Sequence, residues 1–309
     1  MNPAPRCRGL GVALVTPFGP DGNLDHTALA KLVQHTDRGG AQFVIVLGST
    51  GEAATLTEPE RDAAIATVLA HRGRQAVFVG TGSSATAQAI AWTQRAQQLG
   101  AHGALVVTPP YNKPSQRGLC AHFRAVAAAA PEMPILLYNV PSRTGGNLLP
   151  ATLAELWREP NLVGIKESSG DLTQIGRIAA ELPPGKLLLA GDDALALPTL
   201  ALGGHGLISV AGNVAPEAVE RMIATALQDP LRARAMHLRL LPLFDALFVE
   251  PNPVPAKAAL QLLGLCSDAV RLPLLPAEPT TRERLRRCLQ TLGLLHLAPP
   301  PAAGELHHA

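Results

Sequence analysis

The sequence predicts a (β/α)8 TIM barrel followed by an all-helical extension, and three observations carry that prediction. Short apolar runs recur at a spacing of roughly 25 to 30 residues. Each run is closed by Gly, Pro, Ser or Thr and followed by a segment of helical periodicity. The length, 309 residues, suits one barrel of repeated βα units with an addition, and a composition of 47% hydrophobic and 16% charged residues supplies a sizeable core.

Eight runs qualify: Gly11–Thr16, Phe43–Gly48, Val77–Gly80, Ala104–Thr108, Ile135–Asn139, Val163–Lys166, Leu187–Ala190 and Gly206–Val210. Most are continuous rather than alternating, as parallel strands buried on both faces should be, and the connections are long enough for crossover helices. Asp25 opens one such helix. Thr57-Glu58-Pro59-Glu60 reads as a capped start with a proline in the first turn, and Ser115 opens a helix in which Leu119, Phe123 and Val126 repeat at helical spacing. An open doubly wound sheet is the alternative. After the eighth run, Glu217–Leu227 completes the last crossover, and residues 231–249, 253–264 and 280–293 read as three further helices. Glu250–Pro255 holds three prolines and is the hinge between two of them. The boundaries follow: a catalytic barrel over 1–228, a helical extension over 229–297 and a disordered tail over 298–309. No separate function is read in the extension.

The formal charge is +2 with basic residues scattered, so no stripe points to nucleic acid or to a membrane surface. A small-molecule ligand is expected. Cys7, Cys120, Cys266 and Cys288 are far apart, which argues against a zinc site or a disulfide framework, and a terminal pair, His307 and His308, lacks further ligands. No signal-peptide core or membrane-length apolar segment is read. The expected location is cytoplasmic.

Active residues of a barrel sit at the C-terminal ends of its strands. The sixth run ends in Lys166, within Val-Gly-Ile-Lys-Glu-Ser-Ser-Gly at 163–170. Read alone, it is a strand-end lysine paired with Glu167; an ammonium on a buried strand is costly unless paired or deprotonated, and a neutral amine attacks carbonyl carbon. The second run ends in Leu47-Gly48-Ser49-Thr50-Gly51-Glu52, whose amides and hydroxyls suit a carboxylate, although such a turn is also ordinary strand-to-helix chemistry. The chain's two tyrosines, Tyr111 and Tyr138, close the fourth and fifth runs. Each is either a packed ring or a phenol able to relay protons. Arg143, on the loop after the fifth run, is either a solvated surface cation, the commoner outcome for a loop arginine, or a planar fork for a second carboxylate. Gly191-Asp192-Asp193 and the segment around His205 read as turns.

These segments together resemble a known family, the dihydrodipicolinate synthase/N-acetylneuraminate lyase family of pyruvate-dependent class I aldolases. The likeness runs from about residue 9 to 295 and is carried by Gly-Ser-Thr-Gly-Glu at 48–52, Tyr-Asn-Lys-Pro at 111–114, Tyr-Asn-Val-Pro-Ser-Arg-Thr-Gly at 138–145, Gly-Ile-Lys-Glu at 164–167, Gly-Asp-Asp at 191–193 and Gly-Gly-His-Gly-Leu-Ile-Ser-Val at 203–210. The Ser-Arg-Thr-Gly ending resembles the synthase branch. The resemblance implies that Lys166 forms a Schiff base with pyruvate and that the enamine adds to L-aspartate-4-semialdehyde, giving 4-hydroxy-tetrahydrodipicolinate for lysine and diaminopimelate biosynthesis. It implies Tyr138 as general acid/base, Ser49 and Tyr111 as its relay, Thr50 with the Ile208 backbone at the pyruvate carboxylate, and Arg143 at the carboxylate of the semialdehyde. Tyr111 would serve the site of a neighbouring subunit, in a homotetramer built as a dimer of dimers. No metal or organic cofactor is implied.

Two departures bear on this. Position 49 is serine, where many synthases have threonine; the hydroxyl survives with a less restrained χ1. Positions resembling the family's lysine pocket carry Ala53, Glu58, Arg61, Ser84, Gln88 and Pro110, so weak or absent inhibition by lysine is expected. The nearest rival activity is cleavage of N-acetylneuraminate or a 2-keto-3-deoxy sugar acid, against which Arg143 argues, since a polyhydroxylated substrate needs no cation there. A noncatalytic keto-acid-binding barrel is the rival of another class; it has no need of Lys166 with both tyrosines.

Overall fold

The computed structural model describes residues 7–295. Its eight strands, β1 (Gly9–Ala13), β2 (Phe43–Val46), β3 (Ala76–Gly80), β4 (Gly103–Val107), β5 (Ile135–Asn139), β6 (Leu162–Glu167), β7 (Leu187–Ala190) and β8 (Gly206–Ser209), pair in parallel in chain order and close, β8 returning to β1. The open-sheet alternative is excluded. Two strands match their predicted limits, and the others differ at their ends. The largest difference is in β1, which starts at Gly9 and releases the chain after Ala13, where the Val15 amide turns to Asn213 Oδ1 at 3.2 Å.

Helices α1 (His26–Arg38), α2 (Glu58–His71), α3 (Thr86–Gln98), α4 (Gln116–Ala129), α5 (Pro141–Thr144), α6 (Pro150–Leu156), α7 (Leu172–Ala180), α8 (Ala196–Ala201) and α9 (Pro216–Gln228) follow the strands. Their starts are the ones the capping residues specify. Asp25 accepts from the Ala28 amide, Ser115 from that of Gly118, and Thr57 with Glu60 forms a reciprocal capping box. Leu119, Phe123 and Val126 turn inward as expected.

Side chains alternate between two cores. One lies between strands and helices; the other fills the barrel lumen with residues such as Phe43, Phe78, Leu136, Leu187 and Ile208. Phe43 and Phe78 meet edge to face with centroids 5.8 Å apart and plug the lumen's lower half. The strands beside them carry Gly11 and Gly103, where an added Cβ would come within 2.3 Å and 2.1 Å of the two rings. Chemistry is thereby confined to the upper end.

At that end the buried Asp193, just past β7, latches β8. Its carboxylate accepts from the Ser209 hydroxyl and from the amides of Val210 and Ala211. Burial raises its pKa to about 6 against the opposing pull of those donors. A segment read as turn chemistry is therefore a structural lock.

The extension comprises α10 (Pro230–Ala246), α11 (Val254–Leu262) and α12 (Pro279–Thr291). The hinge is displaced from its predicted place, because Val254 and Pro255 already lie in the first turn of α11, where a missing N–H costs nothing. Pro242 sits inside α10, a place the proline rule disfavours. Lys257 on α11 is fully buried, 2.5 Å from Glu52 Oε1, and donates to Ala269 O at 2.7 Å. Glu52 follows β2 in the left-handed region, φ 50°, and its other oxygen accepts from the Arg271 amide. The extension is thus pinned to a loop on the barrel's upper rim. Segment 298–309, with His307 and His308, lies outside the described residues.

Two outcomes test these locks. Lys257→Ala strands a buried carboxylate and should cost about 3–5 kcal/mol in urea unfolding, whereas Lys257→Met combined with Glu52→Gln should recover much of it. For Asp193 the folded pKa lies above the unfolded one, so the folded state binds the extra proton between about pH 4 and 6, and stability falls as pH rises through that window. Asp193→Asn should flatten this slope in urea titrations while lowering stability above it.

Candidate active site

Along β6 the alternation sends Lys166 inward and Glu167 outward. Glu167 is buried among helices, where both its oxygens accept from Asn139 Nδ2 (3.2 and 3.0 Å) and one from the Ser169 amide at 2.7 Å. Burial pushes its pKa up against these hydrogen bonds. The Lys166–Glu167 pair that the lysine read alone would suggest is therefore absent: the strand's pleat separates the two groups. Opposite them in register lie Tyr138 and Asn139 of β5, Tyr138 beside Lys166 and Asn139 beside Glu167. The Lys166 amine stands 4.2 Å from the centroid of the Tyr138 ring, and both residues are only 6% exposed.

Above them opens a cavity of about 550 Å³ at the C-terminal end of the strands, lined by Ser49, Thr50, Tyr138, Arg143 and Lys166 among others. A cavity of similar size, about 520 Å³, lies at the opposite end around Gln42, Gln75 and His102; it is remote from all five residues. Ser49–Gly51 forms a single 3-10 turn after β2, whose leading amides have no carbonyl partner within the turn. Thr16 Oγ1 donates to Gly51 O at 2.7 Å and fixes the turn from below. Arg143 rides on α5, whose Thr144 hydroxyl donates to the carbonyls of Val140 and Gly146.

Two of the expected residues do not line this cavity with their side chains; the roles expected of them, in a neighbouring subunit's site and through the backbone, do not require it. Tyr111 is 92% exposed, with φ 73°, and is not among the residues around the cavity. Ile208 is fully buried in the lumen below, and the cavity is bounded on that side by Val210 instead.

The structure also brings in groups that sequence reasoning missed. Phe248–Asn252, between α10 and α11, form a wall of the cavity, and Asn252 Nδ2 donates to Thr50 Oγ1 at 2.9 Å across 202 residues of chain. With that lone pair engaged, the Thr50 hydroxyl hydrogen is free to face a bound anion. Asp192, Ser168 and Gly191 complete the side next to Lys166. The Asn-Pro pair at 252–253 was visible in the sequence only as a helix breaker.

A second cavity, about 360 Å³, shares Ser49, Tyr138 and Arg143 with the first and reaches Arg61 and Trp92. The buried Arg61 guanidinium lies 3.9 Å from the Trp92 ring centroid and donates to Ala53 O and Gly80 O. Burial lowers its pKa to about 10.

A buried amine facing a phenol, an amide-rich turn and an arginine can bind a keto acid and form an imine with it. Comparison with known proteins gives the same direction. Residues 6–292 match the model of the dihydrodipicolinate synthetase family. The 4-hydroxy-tetrahydrodipicolinate synthase of Thermosynechococcus vestitus is 47% identical over 92% of this chain and 96% of its own length. The dihydrodipicolinate synthase of Aquifex aeolicus superposes with a TM-score of 0.89 at 43% identity, covering 93% of this chain and 98% of that one. That of Acinetobacter baumannii, solved in complex with pyruvate, has a TM-score of 0.91 at 39% identity over 93% and 99% of the two chains. A match of this extent, through barrel and extension alike, makes the chain a member of the dihydrodipicolinate synthetase family.

Proposed function

We infer that the chain catalyses the 4-hydroxy-tetrahydrodipicolinate synthase reaction, joining pyruvate to L-aspartate-4-semialdehyde. The observation that carries this reading is the Lys166 amine, buried at the cavity floor against Tyr138 in a chain nearly half identical to such synthases. Lys166 attacks the ketone carbon of pyruvate; one water leaves and an iminium forms. Loss of a proton from the methyl group gives the enamine, which adds to the aldehyde carbon. The amine of the semialdehyde then displaces Lys166 as the ring closes. Tyr138 moves the protons, assisted by Ser49. The Thr50 hydroxyl and the turn's leading amides hold the pyruvate carboxylate, and Arg143 holds that of the semialdehyde by its planar fork.

The exposure and left-handed backbone of Tyr111 fit a side chain presented to a second copy, in keeping with a dimer of dimers in which Tyr111 completes the neighbour's relay. Against a sugar-acid aldolase stands Arg143 on the cavity wall, a cation that a polyhydroxylated chain would leave unpaired. Weak response to lysine is supported by Arg61, a buried cation in the wall of the adjoining cavity, where a second ammonium would meet like charge.

Borohydride added with pyruvate should leave a reduced three-carbon adduct on the peptide containing Lys166, and aspartate semialdehyde should be turned over in preference to the sugar acids. An unmodified Lys166 removes every imine mechanism; preference for a sugar acid removes the synthase reading alone. At saturating pyruvate, L-lysine should inhibit only above the millimolar range, and a submillimolar inhibition constant would count against the role given to Arg61.

A further inference from the structure

Arg61, in the first turn of α2, is a buried cation, 5% exposed. Among the described residues no carboxylate is paired with it: that of Asp62, the next residue, is taken by Arg95 at 2.7 Å. A guanidinium withdrawn from water without a counter-charge is costly, so the contacts that hold it must offset that cost. It has three. The Trp92 ring of α3 lies 3.9 Å from the guanidinium carbon, one arm donates to Ala53 O at 3.2 Å, and the other donates to Gly80 O at 2.9 Å.

Those two carbonyls flank the Ser49–Gly51 turn. Ala53 lies two residues past it. Gly80, the last residue of β3, packs against its entry: a Cβ built there would stand 2.0 Å from Leu47 O and 3.0 Å from the Gly48 nitrogen. The backbone between is strained. Leu47 and Glu52, which bracket the turn, both lie in the left-handed region, at φ 60° and 50°, where a residue with a side chain persists only if its surroundings over-determine it. Thr16 and Asn252 hold the middle of the turn, and the one guanidinium of Arg61 ties down its two ends. Resting on the function proposed above, this turn holds the carboxylate of pyruvate. We propose that Arg61 is a positioning residue for that first substrate. Through Ala53 O and Gly80 O it keeps the turn in the strained shape that aims its leading amides and the Thr50 hydroxyl at the carboxylate, without touching pyruvate itself.

The test pairs Arg61→Met, which keeps the stem, with Arg61→Lys, which keeps the charge and loses the two-armed fork. Steady-state kinetics in both substrates, borohydride trapping at low pyruvate and thermal unfolding are read for each. Expected in Arg61→Met is a rise of about tenfold in KM for pyruvate, with a matching fall in the rate of adduct formation on Lys166. KM for aspartate semialdehyde should stay within about twofold, below the span of one hydrogen bond. Arg61→Lys should fall between Arg61→Met and the unsubstituted chain. Trp92→Leu leaves the guanidinium in place and removes the ring it rests on; it should raise the same constant about threefold, and it decides the matter where Arg61→Met does not fold. Arg95→Ala, which breaks the exposed pair with Asp62, is the control and should leave both constants unchanged. An unchanged pyruvate KM overturns the proposal, and so does an equal rise in Arg95→Ala. Equal rises in the two KM values also overturn it, by marking a general loosening of the site, and a fall in thermal stability with both constants unchanged reduces Arg61 to packing. Failure of the unsubstituted chain to form any adduct strikes the aldolase reading and the brace with it, whereas a normal adduct with an unchanged pyruvate KM in Arg61→Met strikes the brace alone.

Discussion

The period-two alternation of one buried strand is what the rest of the site depends on. Because side chains on β6 face alternately into the lumen and toward the helices, the carboxylate adjacent in sequence to Lys166 is held on the far side of the barrel wall. A one-residue slip in register would exchange the two and put the carboxylate where the amine now stands. The outward face guards against that slip. Asn139 and Glu167 are joined by hydrogen bonds one register step beyond the pair of Tyr138 and Lys166, so the polar contact outside the barrel and the amine-to-ring contact inside it are two sides of one alignment.

Much of this was legible in the sequence because the fold repeats. Eight apolar runs with helical segments between them specify a barrel almost without regard to detail, the rule that strand ends carry function nominates candidates, and the family resemblance selects Lys166, Tyr138, Ser49, Thr50 and Arg143 among them. All five line one cavity. Caps were equally readable, since Asp25, Thr57 and Ser115 act within three residues of themselves. Tyr111, expected to serve a neighbouring subunit, is exposed on this one.

What escaped the sequence depends on contacts between distant segments or on the side from which a residue is seen. Asn252 and Lys257 sit in what reads as a proline-broken junction between helices, and nothing local announces that they meet Thr50 and Glu52 some 200 positions earlier. Asp193 reads as a turn residue until the buried hydroxyl and amides it accepts from come into view. The pairing of Lys166 with Glu167, which the lysine read alone would suggest, is absent for the converse reason. Proximity along a strand is separation across it.

The bond between Glu52 and Lys257 has a consequence for how the protein comes into being. Synthesis proceeds from the N-terminus, and a chain that has emerged through α9 already holds every strand and every crossover of the barrel. It lacks the wall from Phe248 to Asn252, and the buried carboxylate of Glu52 has no counter-charge. The nascent barrel is therefore complete as an architecture and incomplete as an environment. The cavity beside Lys166 therefore stays open on the side of Phe248–Asn252 until the last quarter of the chain arrives to close over it.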